Sequence, residues 1–269
     1  AGSDIDLILL YDHDSDAFES DGAKPLDNMK YFTRITQRLI AALSAPTAEG
    51  VLYEVDMRLR PSGNKGPVAT RINAFAKYQA EEAWTWEHMA LTRARVLCGD
   101  ESLVRQAEEI FRSVLARKRE TGKVAKDVAE MRDLIDKEKP PKDIWDLKLI
   151  PGGLIDIEFI VQFLALVAPA RGAAQPEKAV ATGDALSVLG AMMDPNGLDT
   201  VQKALVLYTE VSQIVRLCVD GGSAPKEAPA GLVDLVCRAG DCPDLRTLEA
   251  EIRRMSKAVR KIFQGVVRG

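Results

Sequence analysis

After about Asn73 the sequence loses its strand signals and becomes a succession of amphipathic segments, and that asymmetry constrains the fold more than any other feature. The stretches DESLVRQAEEIFRSVLARKRE, GKVAKDVAEMRDLIDKEK, LIDIEFIVQFLALVA, LDTVQKALVLYTEVSQIVRLCV and LRTLEAEIRRMSKAVRKIF carry apolar residues at i, i+3, i+4 and i+7. Each predicts a helix whose apolar stripe must be buried against its neighbours, so a helical bundle is expected. Gly- and Pro-rich breakers separate them: KPPKD, LIPGG, DPNG, DGGSAPKEAPAG and RAGDCPD. No fixed-period repeat is present.

The preceding residues read differently. Ile5 to Tyr11 is a short, nearly continuous apolar run ending in DHDSD, which suits a buried strand followed by a polar turn. Met29, Phe32, Ile35, Leu39 and Ala42 then recur at helical spacing behind Asp27, which is placed to cap a packed amphipathic helix. LYEVDMRLRP alternates, with Tyr53, Val55, Met57 and Leu59 on one face and Glu54, Asp56, Arg58 and Arg60 on the other, as in a half-buried strand. SGNKGPVATR reads as a glycine-rich turn and one more short strand. The expected class is therefore α+β, a small mixed sheet with helices over residues 1–99 followed by an all-α domain over residues 100–269.

Composition narrows the function. A net charge of −4 gives no sign of a nucleic-acid partner. No apolar run approaches the roughly 20 residues that span a bilayer, and no signal-peptide pattern opens the chain, so a cytoplasmic protein without a membrane partner is expected. Cys98, Cys218, Cys237 and Cys242 contain no CxxC pair and read as buried free thiols. His13 and His88, the two histidines, lie in no zinc-hydrolase or Ser-His-Asp arrangement. Carboxylates acting with a hard metal are left as the main route to catalysis.

Asp4 and Asp6 supply such carboxylates. Residues two apart on a strand share a side, so the two present their charges together, a repulsion that a cation or solvent relieves. Asp56 adds a third if its strand pairs beside the first. Three such groups suit one or two Mg²⁺ ions about 4 Å apart, the arrangement used for phosphoryl or nucleotidyl transfer. The same residues also fit a solvated sheet face, with Arg58 and Arg60 pairing Glu54 or Asp56 rather than gripping phosphate.

Four segments carry a resemblance. GSDIDLILLYD, YEVDMRLRPSGNKGPVAT, YQAEEAWTWEHMALTRARV and DLKLIPGGLIDIEFIVQ occur in an order and approximate spacing that resemble the glutamine synthetase adenylyltransferase family, over most of residues 1–167. The resemblance implies a polymerase-β-type nucleotidyltransferase head followed by a helical domain. EVDMRLRPSG with EAWTWEHMALTRAR is similar to the C-terminal half of that bifunctional enzyme, which moves AMP from ATP to a tyrosine of glutamine synthetase and so regulates nitrogen metabolism. The other half removes the AMP by phosphorolysis. By resemblance Asp4, Asp6 and Asp56 match the metal carboxylates, with Asp56 also the candidate base. Arg58 and Arg60, and more weakly Ser3 and Lys65, are candidates for holding phosphate oxygens. Mg²⁺ and ATP are the implied cofactor and substrate, and glutamine synthetase and the PII signal protein the implied partners.

Other positions in the matching segments stay open between roles. Trp84, Leu91 and Val96 read as core, whereas Trp86, Arg93 and Arg95 fit either packing or the wall of a nucleotide cleft. Gly152 and Gly153 precede a helix with Asp156 and Glu158 in its first turns, which suits either the helix dipole or an approach to phosphate or a domain interface. The family's glycine turn, which holds the triphosphate about ten residues before the paired aspartates, has no counterpart ahead of Asp4. The chain is therefore expected to be a fragment lacking its first helix, and to transfer AMP poorly by itself. Two competing readings are a catalytically incompetent module that binds glutamine synthetase or PII, and a free-standing nucleotidyltransferase with a small-molecule acceptor.

Overall fold

The computed structural model describes residues 4–14, 16–50, 53–176, 180–218, 225 and 228–268. The chain forms two compact units, one of Ala1–Glu87 with Val96–Val114 and the other of His88–Arg95 with Leu115–Gly269. The architecture is α+β.

In the first unit the expected single strand over Ile5–Tyr11 is two short ones, β1 (Asp4–Asp6) and β2 (Leu9–Tyr11). β1 pairs in parallel with β3 (Glu54–Asp56), and β2 with β4 (Ala69–Arg71). β1 is exposed throughout rather than buried. Between β3 and β4 the alternation of Met57 to Arg60 is a turn, not a strand, because Met57 is buried and the chain bends immediately after Asp56. A 3-10 turn at Gly63–Lys65 follows, and Gly66 is required there: a Cβ would lie 2.1 Å from the Pro61 carbonyl oxygen.

Helix α1 (Asn28–Ser44) begins where expected, with Asp27 Oδ1 accepting from the Met29 and Lys30 amides. Phe32 stacks on Tyr11 with ring centroids 4.2 Å apart. The rest of the apolar stripe is not packed: Met29 is 60% exposed, and Ile35 and Leu39 are also exposed. The two-stranded sheets are too small to cover a 17-residue helix. α2 (Ile72–Glu81) inserts Ile72 and Phe75 into this unit's core, where Phe75 meets Phe111 of α4 (Glu101–Leu115) edge-on at 6.1 Å. That contact carries the first unit past the expected boundary at Gly99, since the end of the strands is not the end of their packing. α3 (Thr85–Leu91) is capped by Glu87, whose carboxylate accepts from the Trp84 amide at 2.8 Å.

The second unit is helical. Around α6 (Leu154–Arg171) pack α5 (Thr121–Glu138), α7 (Thr182–Leu189), α8 (Pro195–Cys218) and α10 (Leu245–Arg268), and α9 (Ala230–Ala239) closes on α8 and α10. α6 differs from the amphipathic expectation. Residues 155–157 and 160–168 are all buried, the pattern of a central helix wrapped on every side. No helix among the described residues is long and apolar enough to cross a membrane. Cys98 and Cys218 are exposed rather than buried, and Cys237 alone is fully buried.

At the head of α6 a buried ion network ties four segments together. Asp156 and Arg132 have no exposed side-chain surface, and Arg132 Nε donates to Asp156. The Gly152 amide donates to the other Asp156 oxygen, and Arg260 Nη1 reaches both oxygens at 3.0 and 3.1 Å. Arg132 also pairs with Asp136 and donates to the Leu149 carbonyl at 3.2 Å, and Arg260 Nη2 reaches Asp136 at 3.0 Å. Gly152 and Gly153 are thereby structural. A Cβ on Gly152 would lie 1.8 Å from the Ser256 carbonyl oxygen, with φ at +79°, and one on Gly153 would lie 2.4 Å from that of Leu147.

Gly152→Ala should therefore destabilise the second unit by about 2 kcal/mol or more, through overpacking and an unfavourable backbone. Gly172, with φ +64° at the end of α6 and nothing near its missing Cβ, should cost only about 1 kcal/mol as Gly172→Ala. Urea unfolding of both variants checks the difference, and equal losses would show that backbone conformation, not the contact with α10, makes Gly152 necessary.

Candidate functional site

The carboxylates come together through strand pairing. In the parallel β1/β3 pair, Asp4 stands opposite Glu54, Ile5 opposite Val55 and Asp6 opposite Asp56. The Leu7 amide donates to the Asp56 carbonyl at 2.8 Å and continues the pairing by one residue. Paired residues of adjacent strands project to one side of a sheet, and Asp4 shares the side of Asp6. Four carboxylates, Asp4, Asp6, Glu54 and Asp56, thus belong to one side of this strand pair.

They do not form a ready cation cage. Among the described residues, no three acidic, histidine or cysteine side chains are gathered so as to hold a metal ion, and Asp56 is turned to an arginine instead. That arginine is Arg58. Because the chain turns after Asp56, Arg58 folds back on it: its Nε lies 3.0 and 2.7 Å from the two carboxylate oxygens, Nη2 makes a further contact, and the Arg58 amide donates to Oδ1 at 2.7 Å. The Arg58 side chain is 68% exposed and that of Asp56 only 13%. This forked hydrogen bonding holds the Asp56 carboxyl below the usual carboxylate range, against the opposing effect of its burial. Asp4 and Asp6 add their field to Arg58, whose guanidinium is pushed up chiefly by the bond to Asp56.

The other expected phosphate ligands separate. Arg60 is buried, and its guanidinium is spent on the turn, donating to the Met57 carbonyl at 2.7 Å and to that of Gly66 at 3.4 Å. It braces the loop instead of facing a ligand. Lys65 is exposed on the 3-10 turn and makes no ion pair among the described residues. Ser3 lies outside the described residues. Trp84 is 70% exposed, against its expected place in the core, and it is its backbone amide that is engaged, by Glu87. Arg93 pairs with Glu158 at 3.2 Å.

Two features were not anticipated. Glu87 is buried, accepts from the Tyr78 hydroxyl at 3.0 Å, and has its carboxyl pushed up by burial. The signal was present as a Glu three residues after Trp84, the residue that precedes α3. Arg71, at the end of β4, pairs with Asp12 at 3.0 Å and donates to the His13 carbonyl at 3.1 Å, anchoring the polar turn after β2.

A small parallel-stranded head bearing clustered carboxylates, joined in sequence to a helical unit, is the class of architecture found in nucleotidyltransferases with an appended helical domain. A family profile for glutamate-ammonia ligase adenylyltransferase matches residues 1–110. The chain is 75% identical over 268 residues to a bifunctional glutamine synthetase adenylyltransferase/adenylyl-removing enzyme of Rhizobium meliloti, covering 99% of this chain and 27% of that protein. It is 66% identical over its whole length to the enzyme of the same name from Agrobacterium fabrum, and 54% identical over 99% of its length to that of Brucella melitensis, again across 27% of each relative. The chain belongs to this adenylyltransferase family and spans about a quarter of the length of the relatives it matches.

The Arg58–Asp56 pair makes a pH-resolved prediction. A carboxyl held below its ordinary value contributes stability that is present above that value and is lost as pH falls through the folded one. Arg58→Ala should return the Asp56 titration upward toward the ordinary 3.8 and remove that acid-side contribution. Carboxyl-detected NMR titration checks it, and an unchanged Asp56 midpoint would mean that Arg58 does not hold the carboxylate in solution.

Proposed function

We propose that the first unit carries nucleotidyl-transfer chemistry, moving AMP from ATP to a tyrosine hydroxyl of glutamine synthetase with Mg²⁺, as the adenylyltransferase half of a bifunctional cytoplasmic enzyme. The observation that carries the reading is the register of β1 on β3, which sets Asp6 beside Asp56. Support also comes from the names of the relatives, which give glutamine synthetase as the object of both activities. In this reading the catalytic machinery lies within residues 1–99, to which α4 adds packing, the rest of residues 100–269 is the helical domain, and the PII signal protein is the partner that conveys nitrogen status.

The donor set fits a hard dication, since all three groups are carboxylate oxygens. When bound, Mg²⁺ neutralises triphosphate charge and favours the ionised form of the attacking hydroxyl. The chain's own residues divide the remaining work. Asp6 and Asp56 would hold the cation, with Asp4 on the same side of the strand pair. Asp56 is better suited to that than to taking a proton, because a carboxyl held below its usual range is a weak base at neutral pH. Arg58 must leave Asp56 for the cation to be held there, and its exposed, planar guanidinium is then free to receive phosphate oxygens. Lys65 supplies a second cation from the glycine-rich turn. Arg60, bonded to two carbonyls, keeps that turn in shape.

In the full-length enzyme, Asp6→Asn should lower transfer of AMP to glutamine synthetase by roughly 10²-fold or more, since a neutral amide is a far poorer ligand for a hard cation. The fold should be retained, because Asp6 is exposed at a sheet edge. A radiolabelled-ATP assay with circular dichroism on the same sample checks both statements. Wild-type transfer would remove Asp6 from the chemistry, and loss of AMP removal with transfer intact would assign this segment to the opposite activity.

A further inference from the structure

Helix α10 opens with mixed charge and continues without it. Glu249 and Glu251 pair with Arg253 and Arg254. Beyond them, residues 253–264, RRMSKAVRKIFQ, hold five cations and no carboxylate, in a chain whose net charge is −4. The core face of this stretch is Met255, Val259 and Phe263, which are buried. The facing cations line a cleft of about 460 Å³, in which Arg253, Lys257, Arg260, Lys261 and Gln264 of α10 stand opposite Ile144 and Pro151.

The cleft has its shape for reasons already given. Gly152 has no side chain, so its segment can lie against the backbone of Ser256, and Pro151 becomes a wall. Arg260 is fixed from beneath by Asp136 and Asp156. Its charge and that of Arg132 are matched by those two carboxylates, and Arg253 reaches Glu249 at 3.7 Å. Lys257 and Lys261 are different. Both are exposed, they stand one helical turn apart, and neither has a carboxylate partner among the described residues. Like charges at this spacing oppose helix formation, so the fold gains nothing from them. A cleft of one sign between low-dielectric walls concentrates anions, and two ammonium groups beside an immobilised guanidinium suit the charge and multiple acceptors of a phosphate group.

We propose that this cleft binds a small phosphorylated metabolite, its phosphate on Lys257 and Lys261 and its organic part against Ile144 and Pro151. The site belongs entirely to the second unit and does not depend on the transfer reaction proposed for the first.

The test is calorimetric titration of the 269-residue chain with phenyl phosphate and with inorganic phosphate, at constant ionic strength and with a metal chelator present. It is repeated on Lys257→Ala/Lys261→Ala and on the charge-matched control Lys126→Ala/Lys203→Ala, whose lysines pair with Glu130 and Asp199. The expected result is one saturable site, tighter for phenyl phosphate than for inorganic phosphate. Affinity should fall at least tenfold in the α10 variant and stay unchanged in the control, with circular dichroism and Tm of the α10 variant preserved. Absence of saturable binding, or equal binding by the α10 variant, would overturn the site. Equal affinity for the two phosphates would overturn the role given to Ile144 and Pro151. Binding of a polyglutamate peptide where both phosphates fail would make the cleft a docking surface for an acidic protein segment and would overturn the proposal.

Discussion

The second unit is organised around one carboxylate that has no contact with water. Asp156 is fully buried, and an isolated buried charge is costly enough to be neutralised or expelled. It is retained because Arg132, Arg260 and the Gly152 amide converge on it. These partners come from α5, from α10 and from the segment before α6, so satisfying one side chain fixes the relative placement of all of them. Replacing a whole buried ion cluster by apolar groups is often neutral or better, whereas removing one member costs about 3–5 kcal/mol. The network therefore contributes less to net stability than to the choice of a single packing. The double glycine follows from it. For the Gly152 amide to reach Asp156, the segment must lie where a Cβ has no room against Ser256.

How much of this was legible in the sequence differs from element to element. Period suffices for α4, α5, α8 and α10, and Asp27 gives the start of α1, because those signals are local. α6 was legible as a helix but not as the centre of the bundle. LIDIEFIVQFLALVA is apolar on nearly every side, and only the presence of four surrounding helices distinguishes a central helix from a surface one with a wide stripe. Arg132 sits in register with Val124 and Val128 on the buried face of α5. A cation at such a position signals a buried anion, but no local rule says that the anion lies 24 residues further on. The glycines at 152 and 153 fit either phosphate or packing by sequence, and packing is what they serve: Gly152 lies against Ser256 of α10, about a hundred residues away, and Gly153 against the Leu147 and Ile150 carbonyls.

The candidate site was legible in its residue types and not in its pairings. Asp6 and Asp56 are brought together as their alternation on strands suggests. Arg58 and Arg60 were placed on the same face as Asp56 by extending that alternation four residues too far. Once the chain turns at Met57, the geometry that would have aimed both guanidinia at a ligand no longer exists. Arg58 takes the nearest anion and Arg60 the nearest carbonyls. The Pro61-Ser62-Gly63 run was the available sign of a nearby turn, but four residues, Met57 to Arg60, separate it from the end of the strand. The stripe on α1 failed for a related reason, since periodicity reports an apolar face but not the area of sheet available to cover it.

The two units differ in what holds them together, and the difference bears on the chemistry. The helical unit has a continuous core running from Val124 to Val267. The first unit buries far fewer large side chains, Met57, Ile72 and Phe75 among them, and its strands are three residues long. Elements with few buried contacts open at the lowest free energies, so the β1/β3 edge is the part of the chain most responsive to what binds there. A cation or nucleotide that engages Asp6 and Asp56 only when the strands are paired stabilises the pairing by its own binding free energy. The same event must break the Arg58–Asp56 fork, so the energy of that fork is subtracted from the apparent affinity. Only the Arg58 half of the fork is exposed, so breaking it returns the guanidinium to water at once. A pair of the kind that holds Asp156, with neither side chain exposed, leaves its carboxylate closed to any other cation, whereas Asp56 at the β1/β3 pairing faces a guanidinium that is mostly in water.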